Sequence, residues 1–255
     1  MKKKVTIGLV IFLVILLFVN VVILYDIKLS DVNNFFVGVK DKIEDKIEEA
    51  KKIKKSELKT KVSDKYRVNE SINASAFDNE YKKLFNVDDI VKVNIDIYKK
   101  NYLYLIENAK EKPYVLADSL TIGDTTIKNI GIKTKGNESL RKTELDKYSL
   151  SINTNKYLDK KVHGKQNLYG LKRISLNNMS EDTTFLKDYL SYYLMSELGL
   201  CTPYYSLAEL SINNESKGIY LLLENMEEEL INRCYAKEGG FLAKPERFGG
   251  ELTYL

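Results

Sequence analysis

Hydrophobic and polar positions change their period several times along this chain, and each change marks an element. Val5 to Tyr25, "VTIGLVIFLVILLFVNVVILY", is apolar throughout and carries no charge. Twenty-one residues make a helix of about 31 Å at about 1.5 Å per residue, enough for a hydrocarbon core of about 30 Å. Lys2, Lys3 and Lys4 precede it and Asp26 follows, so the amino terminus is expected in the cytoplasm and the rest outside it. A cleaved signal peptide is the alternative. The length of the run and the bulky "LYDIKLS" after it favour an uncleaved, single-pass anchor over residues 1–26.

From Val39 to Lys61 the apolar positions thin to one stripe, Ile43, Ile47, Ala50 and Ile53, at helical spacing. Glu48–Lys52 and Glu57–Lys61 are favourable pairs one turn apart. This predicts a charged helical stalk, followed by a loose linker rich in Asn, Ser, Asp and Lys, together 27–87. Beyond Asp88 the period shortens to two. "IVKVNIDIY" (90–98) reads as a half-buried strand, and "KNYLYLIENAK" (100–110) as a helix with Leu103, Leu105 and Ile106 on one face. "YVLADSLTIG" and "TTIKNIGIKTK" form a hairpin around Gly123-Asp124, and "KYSLSIN" (147–153) and "LKRISLN" (171–177) are further strands. Phe185, Leu186, Tyr189, Leu190, Tyr193, Leu194 and Leu198 repeat at three- and four-residue spacing, with Asp182 to start the helix and Gly199 to stop it. A second hairpin (206–224) turns within Asn213–Gly218; a short helix (225–236) and a strand (240–245) follow. The expected fold class is α+β: a mostly antiparallel sheet with helices packed on one face, over residues 88–255, preceded by the transmembrane helix.

Composition narrows the chemistry. Charged residues are 30% of 255, and the net charge is +4. Ten lysines against seven acidic residues between Lys40 and Lys65 hold most of that excess, so a nucleic-acid footprint is not expected. Cys201 and Cys234 form no CxxC pair; a bond between them is possible, but two buried free thiols are expected. The one histidine, His163 in "KKVHGK", reads as an exposed loop residue, and the absence of HExxH excludes a zincin.

Two stretches point to chemistry. In "IGIKTKGNESL" (130–140), Lys133 and Lys135 share one strand face, and Gly136-Asn137 follows. Paired ammonium groups beside a glycine suit a polyphosphate, which lysine meets as a point charge and glycine lets the backbone approach. A solvated basic strand face is the plainer alternative. In "LNNMSEDTTFLKDYL" (176–190), a strand ends in Asn177-Asn178 and a helix begins near Asp182, with Lys187 and Asp188 in its first turns. Capping accounts for Asp182; it does not account for the two asparagines. P-loop and ordinary protein-kinase motifs are absent.

These stretches, together with "YYSLAELSINNESKGIYLLLENMEEELI" and "GGFLAKPE", resemble the spore coat protein H (CotH) kinase family in order, spacing and wording, from about Asp88 to Leu255. The resemblance implies the amino-terminal lobe of an atypical, secretory-type kinase that uses ATP and magnesium to phosphorylate serine in extracytoplasmic, spore-coat or surface proteins. It also implies a nucleotide-facing set. Lys133, Lys135, Gly136 and Asn137 match the family's basic strand and turn. Asn177, Asn178, Asp182 and Lys187 match its strand–helix junction, Glu224 its hinge-like strand end, and Lys244 its "GxLYKP"-like strand. The sequence departs from the family where many members carry lysines, at Ser151 and Asn153, and it lacks the tryptophan–aspartate segment that holds magnesium. The expectation is therefore a fragment that binds ATP without transferring phosphate; a non-catalytic surface or coat-assembly module is the alternative.

Overall fold

Strand β1, Val91–Asp96, buries alternate side chains as its sequence period requires, with Val93 and Ile95 inside. In the computed structural model, which describes residues 53–75, 79–136, 147–180 and 182–235, six more strands follow. They are β2 (Val115–Ile122), β3 (Thr125–Thr134), β4 (Leu150–Asn153), β5 (Arg173–Asn177), β6 (Tyr205–Ile212) and β7 (Glu215–Glu224). Three α-helices accompany them: α1 (Lys99–Glu107), α2 (Lys187–Glu197) and α3 (Glu228–Tyr235).

The expected open sheet with a helical layer is not what forms. The seven strands close into a barrel in the order β1-β2-β3-β4-β5-β7-β6. Neighbours run antiparallel except at the seam, where β6 lies parallel to β1 with Val91 opposite Ala208 and Ile95 opposite Ile212. Alternation tells which face of a strand is buried but not which strand lies beside it, and the seam joins segments more than a hundred residues apart. Closure removes both sheet edges, and the interior is filled by Ile95, Leu120, Ile152, Leu176, Leu210 and Leu222, among others.

The hairpins follow their sequence signals. Asn213 and Asn214 both take positive φ (52° and 65°) between β6 and β7, the left-handed pair that a two-residue hairpin turn demands. Strand β7 carries the run "YLLLE" because it is covered twice. Tyr220 and Leu222 face the barrel interior, whereas Leu221 and Leu223 join Met179 and Tyr205 beneath α2. On α1, Leu105 is buried as expected but Leu103 is exposed. The buried polar residue there is Asn101, whose amide donates to the Leu116 carbonyl at 2.8 Å and the Lys59 carbonyl at 2.7 Å.

Part of the stretch read as a loose linker is packed. A 3₁₀ turn at Glu80–Leu84 sinks Tyr81 and Leu84 into the core, and another at Glu70–Ile72 adds Ile72. His163 is also buried, not exposed. It ties its own loop together, because the Asp159 amide donates to its Nδ1 at 2.9 Å and its own amide donates to the Asp159 carbonyl at 2.8 Å. Cys201 and Cys234 are bonded to each other, their Cα atoms 5.8 Å apart, instead of being separate buried thiols. Spacing could not show this, since 33 residues separate the two cysteines in sequence.

The apolar run Val5–Tyr25, most of the charged stalk and the strand expected at 240–245 lie outside the described residues. Among the described residues no helix is long and apolar enough to cross a membrane.

Candidate phosphate-facing cleft

Three chain segments meet where β3, β4 and β5 end on one rim of the barrel. The register fixes the arrangement: Thr134 lies opposite Leu150, and Leu150 opposite Leu176. The next residues outward are therefore Lys135, Ser149 and Asn177. They line a cleft of about 350 Å³ with Gly136, Asn178, Met179, Ser180, Asp182, Lys187 and Asp188.

Lys135 is held from both ends. Its amide donates to the Ser149 carbonyl at 2.9 Å, and its ammonium donates to the Asn177 side-chain oxygen at 3.0 Å. Gly136 follows with φ 90°, a conformation open to glycine and strained for other residues. The main chain thus turns away with no side chain between it and the cleft.

The two asparagines have different partners. Asn177 contacts the lysine. Asn178 is almost fully buried, and every polar group of its side chain is used: its amide donates to the Lys147 carbonyl at 2.6 Å, and its oxygen accepts from the Ser149 hydroxyl at 2.9 Å. The Asn178 main-chain amide donates back to that hydroxyl at 2.9 Å. Asn178 therefore fixes Ser149, and Ser149 fixes the Lys135 backbone. Its place is that of a brace and not of a ligand contact.

On the opposite wall, Asp182 caps α2. Its carboxylate accepts from the Thr184 hydroxyl at 2.6 Å, the Thr184 amide at 2.9 Å and the Lys187 amide at 2.6 Å. The Thr184 hydroxyl bond, then the amides, hold its pKa down at about 2. An acidic cap that already occupies the helix N-terminus leaves that end unsuited to a phosphate. The charged side chains that line the cleft are Lys135, Lys187, Asp182 and Asp188.

Six of the ten sequence-chosen residues thus come together: Lys135, Gly136, Asn177, Asn178, Asp182 and Lys187. Lys133 does not line the cleft. It shares a strand face with Lys135, but it stands two residues earlier, within β3 and opposite Ser151, with its ammonium 5.0 Å from the centre of the Tyr114 ring. Ser151 is buried, and Asn153 lines a different cleft, so neither position with a family lysine borders this one. Glu224 pairs with Ile174, three positions along the β5–β7 ladder from Asn177. It is fully buried and accepts from the Tyr81 hydroxyl (3.0 Å), the Tyr204 amide (2.9 Å) and Arg233 (2.7 Å). Burial disfavours the Arg233 charge, but the bond to Glu224 outweighs it and raises the pKa; the guanidinium also lies 3.9 Å over the Tyr204 ring. Asn137 and Lys244 lie outside the described residues.

Sequence reasoning passed over Ser149, Met179 and Ser180, and named Asp188 only as a residue of the helix start. Ser149 was within reach, as the residue just before a predicted strand and opposite a lysine; pairing, which sequence does not show, reveals its part.

A second cleft, about 520 Å³, lies between Lys160, Lys165, Lys172, Arg173 and Glu227–Glu229. It is larger, and two of its cations are paired: Arg173 to Glu227 at 2.9 Å, and Lys172 to Glu228 at 3.1 Å and Glu229 at 3.4 Å.

Residues 132–253 match the family model described as CotH kinase protein. The match takes in the end of β3, all of β4 to β7, α2, α3 and every described residue of the first cleft. It begins at Ile132, well after the Asp88 expected from the wording of the segments. No curated protein matches the chain.

Proposed function

We propose, from the match of residues 132–253 to the CotH kinase protein family, that the β3–β4–β5 rim is the phosphate-binding end of a nucleotide site and that ATP is its ligand. One observation carries this reading. Within the matched stretch, Lys135 is oriented by Asn177 beside the positive-φ Gly136, facing Lys187 across an open cleft. Lysine recognises phosphate as a point charge, and the glycine allows the main chain close to it.

The residues present fit the triphosphate. They do not by themselves fit a metal: among the described residues there is no group of three side chains suited to holding one, and Asp182 is engaged as a cap. ATP brings the transferable phosphoryl group, and magnesium would neutralise its charge. The chain's described residues bind and orient the phosphates, and no transfer step is derived through them. Serine phosphorylation of a spore-coat or surface protein is the family-level reading of what such a site serves.

The Cys201–Cys234 disulfide supports work outside the cytoplasm, because such bonds persist in oxidising compartments.

Titration calorimetry of the full chain with ATP, with and without magnesium, tests the reading. Saturable binding that weakens as salt rises is expected; no heat at millimolar ATP contradicts it. Incubation with labelled ATP and a serine-rich basic acceptor separates binding from transfer.

A further inference from the structure

Lys147, just before β4, carries a charge that the fold leaves unmatched. The residue is half-buried, and its ammonium lies 4.5 Å from the centre of the Phe185 ring and 5.2 Å from that of Tyr220. Among the described residues that ammonium has no hydrogen bond and no ion pair. Ring faces attract a cation, but a lysine ammonium has three N–H donors that seek acceptors. Its burial disfavours the charged form and lowers its pKa. A cation in this position gains from any anion that comes within its reach.

The first cleft is beside it. The Lys147 main-chain carbonyl accepts from the Asn178 amide at 2.6 Å, and Asn178 lines that cleft. Ser149, two residues on, lines it as well, and Phe185 belongs to the turn between the cleft residues Asp182 and Lys187. The main-chain partner and one ring partner of Lys147 are thus part of the cleft walls. Lys147 is not among the lining residues, because its ammonium is turned onto the rings. We propose that Lys147 is a third phosphate lysine of this site: a mobile arm that leaves the Phe185 and Tyr220 rings and pairs with a polyphosphate bound between Lys135 and Lys187. A lysine can do this because its charge sits on a flexible four-carbon stem and meets phosphate from any direction. The inference rests on the nucleotide reading of the cleft and adds to it a residue that closes on the ligand.

Amine acylation of the full chain, read by peptide mass spectrometry, tests it. Saturating ATP or inorganic tripolyphosphate is expected to slow labelling of Lys147 several-fold, because a paired ammonium gives up its proton less readily. Adenosine should not, and labelling of the exposed Lys128 should stay constant throughout. In parallel, Lys147→Met keeps an apolar stem against the rings and removes the charge; ATP affinity is expected to fall about tenfold. ATP that binds the parent but leaves Lys147 labelling unchanged, or that binds Lys147→Met as tightly as the parent, overturns the arm and leaves the cleft reading standing. A lower melting temperature at unchanged affinity would make Lys147 a structural anchor only. Failure of the parent to bind ATP or tripolyphosphate overturns both.

Discussion

The Lys135 ammonium reaches past the end of β4 to donate to the Asn177 side chain at 3.0 Å, linking the two motifs that the sequence holds 42 residues apart. Either residue alone has an ordinary explanation. Joined on one rim, beside a glycine and opposite a second lysine, they make a cleft with an oriented positive charge.

The different partners of the two asparagines separate binding from stability. Asn177→Ala removes a partner of Lys135; we expect weaker ATP binding and a melting temperature close to that of the parent. Asn178→Ala strips partners from the buried Ser149 hydroxyl and the Lys147 carbonyl, at a cost of about 1–3 kcal/mol. Thermal melts and calorimetry on the pair check this; equal effects of both on stability would refute it.

The Glu224–Arg233 pair is the costliest to break. Arg233→Ala leaves a fully buried carboxylate without its cation, which typically costs about 3–5 kcal/mol. Denaturant titrations of parent and variant check this, and a loss below about 1 kcal/mol would refute it.

The pKa of Asp182 falls from 3.8 to about 2 in the fold, so its stabilisation is complete above pH 3.8 and is lost as pH drops toward 2. Asp182→Ala should melt lower than the parent at neutral pH, with the two melting temperatures converging near pH 2. A constant difference across that window would show that the cap does not act through its charge.

Reduction of Cys201–Cys234 should lower stability by about 2–4 kcal/mol, the usual range for a closed loop of this size. Melts with and without reductant test it, with Cys201→Ser/Cys234→Ser as the control that no longer responds.

Much of this was legible in the sequence because it is local. Period-two alternation located Val91–Asp96, a Gly-Asp pair located the β2–β3 turn, and an acidic residue five positions before Lys187 located the start of α2. What escaped was set by distant partners. The Ile95–Ile212 pairing that closes the barrel, the burial of Tyr81 against Glu224 and the bond between Cys201 and Cys234 leave no local trace. Lys133 shows the limit at the site itself. It has the strand face of Lys135, but Tyr114 lies next to it, while the cleft begins one step further on.

That contrast gives the most direct test of the central claim. ATP affinity of the full chain should fall about 10- to 100-fold in Lys135→Ala, equivalent to a charged hydrogen bond of about 1.5–3 kcal/mol, and should change little in Lys133→Ala. Equal losses in both variants, or none in Lys135→Ala, would contradict a phosphate site at the β3–β4–β5 rim.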